Sequence, residues 1–543
     1  MVPALLRLDG CADATQTASM ESSSSFRIQK MAEPLNPTPV GDDDEEQPHK
    51  AQADRIVELV WKEDVTLFQD QYGDPYARLK NGEHWEIHRL RGRHFRRWLC
   101  RLLWQAEHKA PNANAIVSAL AVLEGKSCFE CPCFPLENRT ARDDVAIYYD
   151  LTNENWEVVK ITADGWEVMK TPPILFRRHA HEQPQVAPVR GGSVELLLPF
   201  LNLAEPRFVT LLLVYLVTCL IPGIPHPVPV FHGPQGSAKT TLARMLRLLV
   251  DPSSMGTLSL PTTNAELAQQ LSHHWFAFFD NVTSLPGWAS DALCRGVTGD
   301  GFSKRELYSD DDDVIYAFRR CIGLNGINLA AQKPDLLDRA LLFRLERIPK
   351  ESRKSEEDLW EAFMKARPLI LGGMFDALST AMQMRGKIRL AEMPRMADFA
   401  HWGVAIARAL GSSQEMFLAA YFENIGQQNE EAIQENIVAA ALLSFMGGRR
   451  EWGGSASELL NALCSVAEAE KIDTHSKWWP KAPNALSRRL NEVRTNLAEV
   501  GVVVELVRDA EGKRRIRIVN TRGGTDDTGD VSGHSSPSLL PDL

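Results

Sequence analysis

Gly233-Pro234-Gln235-Gly236-Ser237-Ala238-Lys239-Thr240 is the stretch of this 543-residue chain whose reading decides the fold. A short apolar run, Pro227–Phe231, precedes it, and an amphipathic run, Thr241–Val250, follows. Strand, glycine-rich loop, Lys-Thr and helix in that order form a phosphate cradle. Glycines let backbone N–H groups curl around phosphate oxygens, and the helix N-terminus adds the positive end of its dipole. Lys239 is placed to reach the outer phosphates, and the Thr240 hydroxyl to hold Mg²⁺, with Thr241 next in the cradle. Ala238 stands where the usual pattern has glycine, and its methyl group disfavours a left-handed backbone. The bland alternative is an ordinary strand–turn–helix with a chance lysine.

Trp275-Phe276-Ala277-Phe278-Phe279-Asp280-Asn281 reads as a buried strand with a carboxylate at its tip. Apolar runs ending in Asp are common, but this one follows Lys239 at the spacing a nucleotide site needs. Asp280 would then hold Mg²⁺ together with Thr240. A third strand, Arg320–Asn325, ends in an amide suited to orienting water or touching a phosphate. Arg339 precedes another apolar strand and is placed either as an arginine finger toward a neighbouring subunit's ATP or as the partner of Asp335 or Asp338.

Gly233–Thr240, Asp280, Asn325 and Arg339 together resemble the compact AAA+-type core of superfamily 3 helicases. The segment Gly299–Tyr308 resembles that superfamily's extra motif, which implies a hairpin in a ring channel with Lys304 and Arg305 as DNA contacts. From about Thr66 to Ile518 the chain is similar to uncharacterised phage and bacterial ATP-binding proteins and to the helicase half of phage and plasmid primase–helicases. GPQGSAKT, DNVTSLPGWASDALCR, GFSKRELY, LNGI and PRMADFAHWG carry that likeness. The sequence departs from the superfamily at Asn281, where a second acid is usual. An amide orients water but accepts no proton, so Asp291 is the candidate substitute. It departs again at Asp310–Asp313, whose carboxylates repel a phosphate backbone.

The formal net charge is −11, which excludes a chain coated in basic surface, so any contact with nucleic acid must be local. The longest apolar run, Phe208–Ile221, is shorter than the roughly 20 residues a membrane-spanning helix needs. It reads as a buried helix, and with no secretory signal the default location is cytoplasmic. Cys128, Cys131 and Cys133 cluster, but a fourth ligand in a recognisable pattern is lacking, so reduced thiols are favoured over zinc.

Six regions follow from these shifts in pattern. Residues 1–54 are polar and acidic and read as disordered. Residues 55–190 read as an N-terminal α+β domain of short strands and a helix. Its hairpin signals are at Asn81-Gly82 and Asp164-Gly165, and its arginine-rich stretch, Arg89–Arg101, is read as a solvated helix face. Residues 191–350 read as an α/β P-loop NTPase core, and residues 351–445 as a helical lid or connector. Residues 446–520 read as a winged helix-turn-helix. Here Leu486, Leu490, Val493 and Leu497 share one helix face; Asn484, Arg488, Asn491 and Thr495 lie opposite, flanked by Arg489 and Arg494. The wing carries Lys513, Arg514 and Arg515, and the expected ligand is DNA. The alternative use of such a domain is protein contact. Residues 521–543 read as a disordered tail.

The combined expectation is an ATP- and Mg²⁺-dependent DNA helicase or translocase of a phage or mobile element. It would work as a homo-oligomer, a hexameric ring being the familiar arrangement, without a membrane partner. The competing expectation is an ATP-binding switch that loads or regulates a DNA machine without unwinding.

Overall fold

The computed structural model describes residues 51–305, 313–316, 318–326, 334–476, 479–508 and 514–521. The expected disordered ends at 1–50 and 522–543, Asp310–Asp312 and Lys513 lie outside the described residues, as do the side chains of Lys304 and Arg305.

The N-terminal region starts with α1 (Gln52–Val60), followed by the antiparallel meander β1 (Val65–Gln69), β2 (Pro75–Asn81) and β3 (His84–Arg89). The tight turn between β2 and β3 sets Gly82 at φ +62°, a value that favours glycine. The arginine-rich stretch becomes α2 (Arg93–Glu107), which buries Phe95, Leu99, Leu102 and Leu103 and leaves most of its arginines in water. A further helix, α3 (Ala113–Glu130), closes this small core. The single helix expected here is thus corrected to three. The stripe of α3 is blurred because Val117 and Val122 are exposed on its outer side, so apolar residues run nearly all round it.

Next come the short β4 (Leu136–Glu137), the sheet β5 (Thr140–Arg142), β6 (Ile147–Asp150), β7 (Val158–Thr162) and β8 (Gly165–Met169), and β9 (Leu175–Phe176). This sheet faces the central body rather than the N-terminal helices. Ile147, Tyr149, Val159, Ile161 and Trp166 belong to the same core as the central strands. Residues 55–190 therefore contribute to two cores.

The central body begins with α4 (Val209–Thr218), the apolar run, buried from Leu211 onward. Then follow β10 (Val228–His232), α5 (Lys239–Val250), α6 (Asn264–His273), β11 (Phe276–Phe279) and α7 (Gly287–Thr298). The hairpin β12 (Phe302–Arg305) and β13 (Asp313–Tyr316) comes next, at the place of the expected projecting motif. Then come β14 (Cys321–Asn325), the one-turn α8 (Pro334–Leu337) and β15 (Ala340–Arg344). The central sheet has the order β11-β14-β10-β15, and every neighbouring pair is parallel. Parallel strands need crossovers that cover both faces, which is why they read as unbroken apolar runs.

A buried ion pair ties the peripheral sheet to this body. Arg139 is fully buried and donates from Nε to Asp251 Oδ1 at 3.0 Å, while Asp251 Oδ2 accepts from the backbone of Trp275 and Phe276 at 3.0 and 3.1 Å. One carboxylate thus joins the end of α5 to the start of β11.

Three helices lie beside the sheet: α9 (Glu356–Arg385), α10 (Ala397–Ala409) and α11 (Gln414–Glu435). Asn424 on α11 brackets β15, with Nδ2 donating to Leu342 O at 2.7 Å and Oδ1 accepting from Leu342 N at 2.9 Å. The segment 189–193 runs against α9 where that helix has no side chains. A Cβ at Gly372 would fall 1.8 Å from Val189 O, and one at Gly192 would fall 1.9 Å from Leu369 O.

The C-terminal region comprises α12 (Ile437–Met446), β16 (Glu451–Gly454), α13 (Ala456–Ala469), α14 (Pro483–Glu499), β17 (Val502–Arg508) and β18 (Arg514–Asn520). Its sheet is antiparallel in the order β16-β18-β17. The core of this region already includes Val438, Leu442 and Phe445, so it starts ahead of position 446. Asn436 marks the break by capping α12, its side chain accepting from Val438 N and Ala439 N. Ser455, rather than the expected Ser457, caps α13 in a reciprocal box with Glu458. The segment α14 packs against α11 and reaches α8 in the central body.

Candidate functional site

The loop 233–238 joins the C-terminal end of β10 to α5, between the flanking strands β14 and β15. Crevices at the carboxyl ends of parallel strands are where open α/β sheets bind ligands. Gly233 has φ +130°, and a Cβ there would meet Leu345 O at 2.3 Å. Gly236 has φ +77° with open space where its side chain would be, and its carbonyl accepts from Ile348 N at 3.3 Å. Ala238 takes a left-handed conformation, φ +60° and ψ +25°. The loop therefore adopts the glycine-type backbone in spite of the substitution, at a cost of roughly 1–2 kcal/mol.

Lys239 opens α5. Its ammonium donates to Gly233 O and Pro234 O, both at 2.9 Å, and to Ser237 Oγ at 3.2 Å. Burial lowers its pKa, partly offset by the charge of Asp280. Ser237 is buried and donates to Pro234 O at 2.9 Å, while Pro234 and Gln235 form the outer turn of the loop. Thr241 follows one residue into the helix, half-buried.

Three strand ends and the helix start bring four polar groups together. Thr240 Oγ1 donates to Asp280 Oδ1 at 3.2 Å, and Asn325 Nδ2 donates to the same oxygen at 2.6 Å. Asn325 Nδ2 also lies 3.4 Å from Thr240 Oγ1. The Asn281 backbone N–H donates to Asp280 Oδ1 at 2.8 Å, with Asn281 itself exposed at φ +56°. Hydroxyl and carboxylate oxygens at one point form a hard donor set of the kind Mg²⁺ prefers. Asn325 is 2% exposed, so its amide braces Asp280 rather than facing open solvent.

Asp291 and Arg339 sit elsewhere. Asp291 is on α7 and contributes to the electrostatic surroundings of Cys294, along with Arg339, Asp335 and Arg395. Arg339 donates to Asp335 O at 2.6 Å and lies 3.8 Å from its carboxylate, whereas Asp338 pairs with Arg395. The pairing of Val228 with Ala340 and of His232 with Arg344 puts Arg339 at the far end of the sheet from Gly233. Four strand residues separate the two ends, about 13 Å.

Arg344 is the residue that the motif search passed over. It is exposed at the end of β15, in register with His232, the residue directly before the loop. Burial first, then the charges of Arg344 and Lys239, press the His232 pKa down to about 4. The only signal in the sequence was a cation closing the apolar run Ala340–Phe343, too common a pattern to single out.

The other expected ligand residues divide between exposed and engaged. On α14, Arg488, Asn491 and Arg494 are exposed, while Arg489 pairs with Glu492 at 2.8 Å. On β18, Arg514 is exposed and Arg515 lies 3.7 Å from Glu458. Cys128 ends α3 rather than lying in a loop, and the Cys133 thiol donates to Asp70 O at 3.2 Å. Among the described residues no group of His, Cys, Asp or Glu has metal-binding geometry, and no helix is long and apolar enough to cross a membrane.

Residues 194–429 match the family model described as actinomycete integrative conjugative element replication protein. Residues 438–531 match the model of the AICE RepA C-terminal domain. The chain is similar to replication proteins of mobile elements. The two matched spans meet between α11 and α12, where Asn436 caps the second helix. Among solved structures, the A form apo structure of the NrS-1 C-terminal region aligns at 12% identity and a TM-score of 0.37, over 86% of this chain and 98% of that one. A second apo structure of that region aligns at 13% identity and a TM-score of 0.36, over 87% and 100%. No curated protein matches the chain.

Proposed function

We propose that this replication protein is a DNA-directed ATPase, working as a ring-forming helicase or translocase of superfamily 3 type. The observation that carries the reading is the convergence of Thr240, Asp280 and Asn325 beside a glycine-conformation loop at the end of β10. The strand order supports it, since β14 separates the Asp280 strand from the loop strand. ATP would lie along Gly233–Thr241. Mg²⁺ would be held by Thr240 and Asp280, supplying charge to the phosphate being transferred. Lys239 is positioned to exchange its carbonyl partners for phosphate oxygens, and Asn325 keeps Asp280 oriented. Arg339 is too far along the sheet to serve its own loop, which favours action on a neighbouring copy.

The C-terminal region follows the helix–strand–helix–helix–strand–strand order of a winged helix, with α14 as its recognition helix. Its exposed Arg488, Asn491 and Arg494 suit base edges and phosphates.

Strand displacement on forked DNA tests the whole reading, run beside nucleotide-dependent thermal stabilisation. Wild type should unwind with ATP, and Lys239→Ala should lose both stabilisation and unwinding. Stabilisation without unwinding would favour the second reading, a nucleotide switch. Asn281 supports that second reading, because an exposed amide occupies the place where a proton-accepting acid is usual. Asn281→Asp tests it best, since Asp tolerates a left-handed backbone.

A further inference from the structure

Away from the central body, a cleft of about 340 Å³ opens between the β2–β3 hairpin and the β5–β8 sheet. That volume is near the small end of the roughly 300–1,000 Å³ range of ligand sites. Arg78, Trp85 and Ile87 line one wall, and Trp156 and Lys170 contribute to the other. Arg78 pairs across the ladder with Ile87, so the three hairpin residues share a face.

Two features distinguish this cleft from ordinary packing. First, both indoles lie beneath cations: the Arg78 guanidinium is 4.7 Å from the Trp85 ring centre, and Arg178 is 3.8 Å from that of Trp156. Second, the charges are unevenly matched. Arg178 is neutralised by Asp150 at 2.6 and 2.9 Å, and Lys170 pairs with Glu83 at the rim at 2.8 Å. Arg78 pairs with no carboxylate among the described residues, and burial alone acts on its pKa, lowering it. A half-buried cation without a counter-charge selects an anion, and flat aromatic walls select a flat ring. A nucleotide unit carries both.

We propose that this cleft binds a nucleotide unit of single-stranded DNA, with the base against Trp85 and Trp156 and the phosphate on Arg78. Base–aromatic stacking holds single strands without regard to sequence, and cation contacts make the hold salt-dependent. This site is independent of the ATP site; only the choice of a DNA strand over a free nucleotide rests on the replication-protein reading.

The test is site-resolved photocrosslinking of the full chain to oligo(dT) bearing one 5-iodo-deoxyuridine, with free 5-iodo-deoxyuridine monophosphate in a parallel arm. Peptides are mapped by mass spectrometry. Crosslinks at Trp85 or Trp156 are expected from the oligonucleotide, falling at least fivefold in Arg78→Gln and with rising salt. Equal labelling by the free nucleotide would keep the pocket but overturn the strand as its source. Crosslinks confined to other regions, with the Trp85 and Trp156 peptides unmodified, would overturn the site. Hydroxyl-radical footprinting of the wild-type chain decides the case if Arg78→Gln fails to fold. Oligo(dT) should protect both tryptophans, and unchanged oxidation would again overturn the proposal. Mapping by residue separates this outcome from DNA contacts made by α14 or the β12–β13 hairpin.

Discussion

The Asn325 amide donates to Asp280 Oδ1 at 2.6 Å from a side chain that is 2% exposed. Two neighbouring strand ends are thereby locked at the point where Thr240 arrives from α5. Removing the amide should leave the carboxylate in place but free to turn. Groups that orient a metal-holding carboxylate are typically worth 10–100-fold in affinity or activity. Asn325→Ala is accordingly expected to raise the Mg²⁺ needed for half-maximal ATP hydrolysis by roughly that factor, with nucleotide binding retained. An unchanged Mg²⁺ titration would show that Asp280 needs no such support.

Ala238 offers a cleaner measurement of backbone cost. At φ +60° its methyl group is strained, and glycine would relieve it. Ala238→Gly is expected to be close to neutral or stabilising, by up to about 1 kcal/mol, because relief of strain outweighs the added freedom of the unfolded chain. Thermal melting decides the sign. A clear loss of stability would mean that the methyl group makes a contact worth more than the strain.

Arg339 and Arg344 should behave oppositely in mixing experiments. They close the two ends of one strand, and only Arg344 lies beside the loop of its own subunit. Both alanine variants should lower hydrolysis. Mixing Arg339→Ala with Lys239→Ala should restore some turnover, because one subunit supplies the loop and the other the arginine. Arg344→Ala mixed in the same way should gain nothing at a shared interface. Identical behaviour of the two variants would remove the basis for assigning Arg339 to a neighbour.

Stability should fall on mild acidification. His179, His181, His273 and His274 form two face-to-face ring pairs, with centres 4.3 Å apart for His179–His273 and 3.9 Å for His181–His274. Burial first, then the charges of Arg247 and His181, lower the His274 pKa to about 3, with Asp251 acting the other way. An unfolded histidine titrates near 6.5. The folded state therefore binds fewer protons in this window, and stability present above about pH 6.5 is lost as pH falls toward 3. Glu182 runs the opposite way: burial raises its pKa to about 8, and its contribution declines as pH rises from about 4.3 to 8. Melting temperature should drop between pH 7 and pH 5, and less in His274→Gln. A slope unchanged by that substitution would place the acid sensitivity elsewhere.

What could be read from the residues was whatever local chemistry dictates. GPQGSAKT between an apolar strand and an amphipathic helix, Asn81-Gly82 between alternating runs, and Leu486, Leu490, Val493 and Leu497 on one face each have a short-range cause. What could not be read depends on distant partners. The strand β16, Glu451-Trp452-Gly453-Gly454, has no alternation and is a strand because β18 pairs with it. The sheet β5–β8 looked like part of an N-terminal domain, yet Trp166 Nε1 donates to Asp376 on α9 at 2.8 Å, a partner 210 residues away. Arg344 gains its place beside the loop only from the register of β15 against β10.

The glycines of α9 set a practical limit on dissecting this chain. Val189 and Ser193 occupy the volume that side chains at Gly372 and Gly373 would fill, and Val189 N donates to Pro368 O at 3.0 Å. A stretch that looks like an inter-domain tether is thus a wedge in a helix groove. A truncated protein beginning at residue 194, where the family match starts, would leave that groove empty and bare α9 backbone to water. The shortest stable replication-protein fragment should start upstream of Val186, and screening for one should vary the start point there before altering the C-terminal end.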